Sequence, residues 1–217
     1  MSQTTVTVVG SREAPKDVLI LMILLGRLFS TLGYKQRSGD AYGSDRAFYY
    51  GALLDPNFKP NMFEAWLPRS PTRQRYADDI TFLDFQNLME GTQERCRDLV
   101  IRARGSIIGL NNNTLALHSR NVVQVLGPSL DDPSDLVVLY AKPVKTKDGS
   151  SKVRGGTNTA YQIALDNNIE IWNLAIPEGL AKVTGLLIEH SSTIDSSTID
   201  WSKIIDHELL REGLGWC

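Results

Sequence analysis

Short apolar runs alternate with longer amphipathic stretches along most of this chain. Residues 4–9 are rich in β-branched side chains and stop at Gly10, a pattern that predicts a short buried strand with a turn directly behind it. From Ala14 the apolar positions recur at helical spacing. Pro15 suits a first helical turn, Asp17 suits the positive end of the helix, and Gly33 stops it after Leu32. A second strand is expected over residues 34–37, and a helix opens at Gly43-Ser44-Asp45 and closes at Asp55-Pro56-Asn57. A third strand is expected over residues 62–67. Strand and helix in this order predict a parallel sheet wound with crossover helices.

Between residues 68 and 91 the periodicity loosens. This stretch carries Pro68, Pro71, Arg69, Arg73, Arg75 and the pair Asp78-Asp79, and reads as a long loop with local helical turns, a kind of segment that often serves as a binding loop or lid. Helices are expected over residues 92–104 and 115–126, the second after the Asn111-Asn112-Asn113 turn. Leu136-Val137-Val138-Leu139 is a continuous apolar run between turn residues, so residues 135–141 are expected to form a central strand. Asp148-Gly149 marks the turn of a polar hairpin over residues 142–154, followed by a helix over 157–167 and a strand over 169–174. The tail from Pro177 predicts two helices, separated by the polar linker 191–197 and packed on the same core. The expected class is therefore α/β: a single Rossmann-like domain over residues 1–176, mainly parallel sheet with helices on both faces, and a C-terminal helical extension over 177–217.

Composition narrows the partners. A chain of 217 residues, 42% hydrophobic and 22% charged, suits one domain with a sizeable core. Its net charge of −2 provides no broad basic field, so nucleic-acid binding would need a local patch. The two cysteines, Cys96 and Cys217, provide no disulfide framework and fit a reducing cytoplasm. His118, His190 and His207 lie far apart and share no ligand spacing, so neither a metal nor a cofactor is expected. The N-terminus lacks a basic leader region, and the apolar stretch 18–25 is too short to span a bilayer and meets Arg27. No membrane association is expected, while a homo-oligomer is left open.

Three glycine-bearing turns fall behind strands, at the edge where open parallel sheets bind ligands. Glycine lets backbone amides approach a phosphate, and the helix that follows points unsatisfied N–H groups and its positive dipole end at the anion. Gly155-Gly156-Thr157-Asn158-Thr159 is the strongest phosphate candidate, because Thr157 and Thr159 add hydroxyl donors to the two glycines. In Gly10-Ser11-Arg12 the serine donates and Arg12 offers a bidentate fork. The turn from Ser38 through Gly39, Asp40 and Tyr42 to Asp45 adds a hydroxyl, two carboxylates and a ring suited to the ribose or base. No G-x-x-x-x-G-K-[ST] loop is present and no G-x-G-x-x-G follows the first strand, which argues against ordinary ATPase and dehydrogenase chemistry.

Val9-Gly10-Ser11-Arg12, Ser38-Gly39-Asp40-Ala41-Tyr42-Gly43-Ser44-Asp45, Ser119-Arg120-Asn121, Leu136-Val137-Val138-Leu139 and Gly155-Gly156-Thr157 occur here in that order. In this the chain resembles SLOG, the Rossmann-like superfamily that joins the DNA-processing protein A family to the lonely-guy nucleotide phosphoribohydrolases. The resemblance spans roughly residues 6–174. Its DNA-processing branch implies single-stranded DNA as partner, with Arg69, Arg73, Arg75, Lys145, Lys147, Lys152 and Arg154 as one rim of a groove. Its phosphoribohydrolase branch implies cleavage of a nucleoside monophosphate, with Arg120 in the place of the catalytic arginine. The glutamate of that branch's G-G-x-G-T-x-x-E element is replaced here by Gln162, which can neither ionise nor usefully transfer a proton; Asp40 or Asp45 would have to stand in, and the candidate catalytic pair is Arg120 with Asp45. A third branch senses nucleotide-derived signals. The expected function is recognition of a nucleotide or other phosphate-bearing small molecule, with N-glycosidase activity and single-stranded DNA binding as the alternatives.

Overall fold

The computed structural model describes residues 3–146, 149–194 and 199. The first half follows the expected alternation: β1 (Thr5–Gly10), α1 (Lys16–Thr31), β2 (Lys35–Ser38), α2 (Ser44–Leu53) and β3 (Phe63–Leu67). Then come β4 (Phe82–Asp84), α3 (Glu90–Arg104), α4 (Asn112–Leu126), β5 (Leu136–Tyr140), the hairpin strands β6 (Pro143–Val144) and β7 (Lys152–Val153), α5 (Thr157–Asp166), β8 (Glu170–Asn173) and α6 (Pro177–Glu189).

Six strands form one sheet in the order β4-β3-β2-β1-β5-β8, with every neighbouring pair parallel. One face carries Val6 and Val8 against Ile23 of α1, Phe48 of α2 and Val183 of α6. The other carries Val9, Val137 and Leu139 against Cys96 of α3, Val122 of α4 and Ile163 of α5. Helices thus cover both faces, as an all-parallel sheet requires, and the protein has a Rossmann-like α/β fold. From β1 the chain steps outward through β2 and β3 to β4, then crosses back to β5 on the opposite side of β1. Strand order therefore reverses between β1 and β5, and the loops leaving those two strands diverge to open a crevice at their carboxyl ends.

β2, Lys35-Gln36-Arg37-Ser38, has no apolar residue yet lies inside the sheet. Its charges and most of its polar groups find partners instead, the Gln36 side-chain oxygen excepted among the described residues. Arg37 donates from Nε to Glu64 (3.0 Å) and from Nη1 to the Asp132 carbonyl (2.6 Å), and Gln36 donates to the Gly26 carbonyl (3.1 Å). A buried strand of this kind is tolerated because each charge meets a partner.

The expected loop over residues 68–91 contains the edge strand β4 and a single 3-10 turn at Phe85–Asn87. Three residues of mixed Phe-Leu-Asp character carry too little periodicity to be read without their partner β3. α4 begins at Asn112, earlier than the apolar pattern indicates, because the Asn111 side chain caps it by accepting from the Thr114 amide (2.8 Å). The second tail helix and the Lys147-Asp148 part of the hairpin fall outside the described residues. No helix among the described residues is long and apolar enough to cross a membrane.

Candidate functional site

A cavity of about 690 Å³ occupies the crevice between β1 and β5, within the range that holds small ligands. The structure brings Gly10, Ser11, Arg12, Asp45, Arg120, Gly155, Gly156 and Thr157 to its walls. It does not bring Ser38, Gly39, Asp40 or Thr159 there. The Ser38 hydroxyl donates to the Val8 carbonyl (2.6 Å), Asp40 pairs with Arg46 (3.1 Å) and Arg75 (3.5 Å), and the Thr159 hydroxyl is held by His118 (2.7 Å). The second glycine turn thus supports the crevice from behind.

The glycines separate along the same line. A Cβ on Gly10 would lie 2.5 Å from the Ser44 hydroxyl, and one on Gly39 would lie 1.0 Å from Arg120 Nη1. The protein's own atoms already fill both approaches. A Cβ on Gly155 would meet nothing within 4 Å, and one on Gly156 only the His118 ring at 3.9 Å. Gly155 has φ +75°, so a side chain there would be strained even though space exists. Empty space at the head of a helix is what an approaching ligand needs.

The helix N-termini at this edge also differ in charge. α1 carries Asp17 in its first turn and follows Glu13, and α2 carries Asp45. The first turn of α5 has no acid, and Arg154 and Lys142 stand on the cavity wall beside it. Only α5 of these three presents an uncompensated positive end to an anion.

Asp45 and Arg120 lie beneath the cavity, both buried, with 3.8 Å between carboxylate and guanidinium. Asp45 accepts the amides of Gly10 (3.2 Å) and Ala41 (3.1 Å), so it ties the ends of β1 and β2 together. Burial pushes its carboxyl up to about 6, against the opposing pull of Arg120. Burial likewise pulls Arg120 down to about 10, with Asp45 acting against it. Among the described residues, Arg120 Nε and Nη1 and both polar atoms of the Gln124 amide have no hydrogen-bond partner. Such buried orphans are costly and mark the floor of this cavity as polar and incompletely satisfied.

His118 escaped sequence reasoning. It lines the cavity, receives a hydrogen bond from Arg104 at Nε2 (3.1 Å) and so donates from Nδ1 to Thr159 (2.7 Å). Burial and the nearby Arg104 and Arg120 pull it down to about 4, which keeps it neutral. Thr114, Leu117, His118, Asn121 and Gln124 share one face of α4, and the i, i+3, i+4, i+7 spacing of this mostly polar stripe was the available signal. Gln162 lies outside the cavity walls and donates to the Ser151 carbonyl (2.6 Å) of the hairpin segment, while Asn158 accepts from the Val153 amide (3.0 Å). Of the proposed basic rim, Arg154 lines the cavity, Arg73 and Arg75 fold back towards Tyr42 and Asp40, and Lys145 and Lys152 lie exposed on the hairpin. Lys147 is outside the described residues. Among the described residues no cluster of His, Cys, Asp and Glu is suited to a metal ion.

No protein-family model matches this chain, and comparison with curated proteins found no match. Among solved structures it is similar to DNA processing protein A from Helicobacter pylori, with 14% identity, coverage of 87% of this chain and 82% of that one, and a TM-score of 0.34. That structure is described by its single-stranded DNA binding mode. A likeness this low carries no argument about the function of the present chain.

Proposed function

We propose that this chain is a SLOG-type ligand-binding domain that holds a nucleotide, or a molecule built on one, in the crevice between β1 and β5. Its phosphate lies against the amides of Gly155, Gly156 and Thr157, with Arg154 and Lys142 beside it. One observation carries this reading: at Gly155-Gly156 alone among the three turns, open space meets an acid-free helix N-terminus. The unpartnered donors of buried Arg120 support it independently. Binding without hydrolysis is favoured because Gln162 is engaged with the hairpin and both Asp45 oxygens accept backbone amides. Calorimetry with a panel of nucleoside mono- and diphosphates tests the reading, and chromatography of the same mixtures for free base tests the glycosidase alternative. Heat of binding with no base released is expected; no binding across the panel contradicts the proposal.

A second reading, single-stranded DNA, draws on Arg12 and Arg73, neither of which comes within ion-pair distance of a carboxylate among the described residues. It requires salt-sensitive retention of an oligothymidylate, weakened by neutralising Arg69, Arg73 and Arg75. Unchanged mobility at low salt removes it.

A further inference from the structure

The segment that follows β3 turns back over the carboxyl edge of the sheet, and its tip is the four-residue turn Thr72–Arg75, closed by a pair of backbone hydrogen bonds. Its two central residues, Arg73 (φ +48°) and Gln74 (φ +61°), are both left-handed without being glycine. Such a backbone is unfavourable for L-residues and needs outside contacts to hold it. Those contacts lie just beyond β2, beside the residues that line the crevice and not among them. Arg73 stands 5.2 Å from the Tyr42 ring, Arg46 stacks on the same ring at 4.1 Å, Arg46 is paired with buried Asp40, and Arg75 reaches Asp40 at 3.5 Å. Tyr42, Arg46 and Asp40 thus form a platform that fixes the turn and delivers the half-buried Arg73 guanidinium.

Charge in this corner is unbalanced. Arg46 and Arg75 share Asp40 and Arg120 faces Asp45, while among the described residues Arg12 and Arg73 come within ion-pair distance of no carboxylate, Glu13 on the cavity wall included. Both arginines border the Tyr42-Gly43 turn: a Cβ on Gly43 would lie 2.7 Å from the Arg12 carbonyl oxygen, and Arg73 stands over the Tyr42 ring. Burial, with the nearby Arg12 adding to it and Asp45 opposing it, weakens the hold of Arg73 on its proton. Two guanidiniums without a carboxylate partner raise the local positive potential and attract an anion.

We infer that Arg12 and Arg73 form a second anion subsite on the β2 side of the crevice, so that the ligand carries two separate phosphates, as in the nucleoside 3′,5′-bisphosphate class. The inference rests on the nucleotide reading above and extends it. The α5 cradle follows β5, while Tyr42 follows β2, two strand spacings away across β1, or roughly 10 Å. One phosphate cannot occupy both places. Phosphates on either side of a ribose, met by arginine side chains of ordinary reach, bridge that interval.

Calorimetry on the full chain decides the matter, with adenosine and guanosine 3′,5′-bisphosphates set against the matching 5′-monophosphates, for wild type, Arg73→Gln, Arg73→Lys and Arg12→Gln. In wild type at least one bisphosphate is expected to bind about tenfold more tightly than its monophosphate, one charge-assisted contact being of that order. Arg73→Gln removes most of this advantage and leaves the monophosphate affinity unchanged, whereas Arg73→Lys retains part of it. Arg12→Gln also lowers the advantage, and an unchanged melting temperature shows that the fold is intact. Equal binding of both ligands by wild type, or equal weakening of both by Arg73→Gln, overturns the second subsite while leaving the nucleotide reading standing. Failure of wild type to bind any of the four overturns both.

Discussion

Gly39 and Gly156 provide a paired test of how the crevice is built. At Gly39 an added Cβ would fall 1.0 Å from Arg120 Nη1 and 2.4 Å from Gln124 Nε2. Neither clash is relieved by a small adjustment, since both side chains are buried. Gly39→Ala therefore expels Arg120 from its place and leaves Asp45 buried without its counter-charge, a change that costs about 3–5 kcal/mol in buried pairs. For a domain of this size the melting temperature falls by roughly 6–20 °C. Gly156 has φ −65° and ψ −26°, a helical conformation open to alanine, and its Cβ would meet only the His118 ring at 3.9 Å. Gly156→Ala is expected to change stability by no more than about 1 kcal/mol in either direction. The methyl group nevertheless stands in the approach to the α5 amides and weakens nucleotide affinity by about tenfold. Urea unfolding and calorimetry on both variants measure the two effects. A Gly39→Ala protein as stable as wild type, or a Gly156→Ala protein that binds as well, refutes the division of roles between these turns.

Other predictions follow from the charges around the cavity. With its carboxyl raised to about 6 by burial, Asp45 loses its charge as pH falls through that value, so affinity for sulfate, whose own charge stays fixed, rises between pH 7 and 5; an Asp45→Asn protein shows a flatter profile, and a profile independent of Asp45 contradicts the assignment. The folded-state value of His118 is depressed to about 4, so its stabilising contribution is complete above about 6.5 and is lost as pH falls towards 4. His118→Gln accordingly loses less melting temperature than wild type between pH 7 and 4.5, and parallel losses refute the neutral histidine. Because Gln162 is held at the Ser151 carbonyl outside the cavity, Gln162→Glu is expected to produce no release of free base from nucleoside monophosphates, and measurable release would show that this position reaches the ligand.

Much of the fold was legible because the strongest signals were local. The β-branched run ending at Gly10, the Leu136–Leu139 run and the helix-opening Gly43-Ser44-Asp45 each declare an element through its own residues, and their alternation implies a parallel sheet. β4 was illegible because it is three residues long and exists only as a partner of β3. In the site, glycine turns behind strands pointed to the carboxyl edge of the sheet, where a cavity lies, yet their separate uses depend on contacts distant in sequence. Gly39 is occupied by Arg120, 81 positions later by chain number, and Gly10 by Ser44. The polar stripe of α4 could be read as helical periodicity, but not as the wall of a cavity, until α5 was known to pack against it. Thr159 illustrates the same limit: its hydroxyl follows the glycine turn as a phosphate donor would, and the fold commits it to His118.

In the proposed complex the open turn at the head of α5 receives the phosphate. Amide resonances recorded during titration with a nucleoside 5′-monophosphate test it most directly, because the backbone N–H groups are themselves the proposed contacts. The largest shifts are expected at Gly155, Gly156 and Thr157, with small changes at Gly39 and Asp40. Saturable shifts centred on Gly39 and Asp40, with Gly155 to Thr157 unmoved, would contradict it.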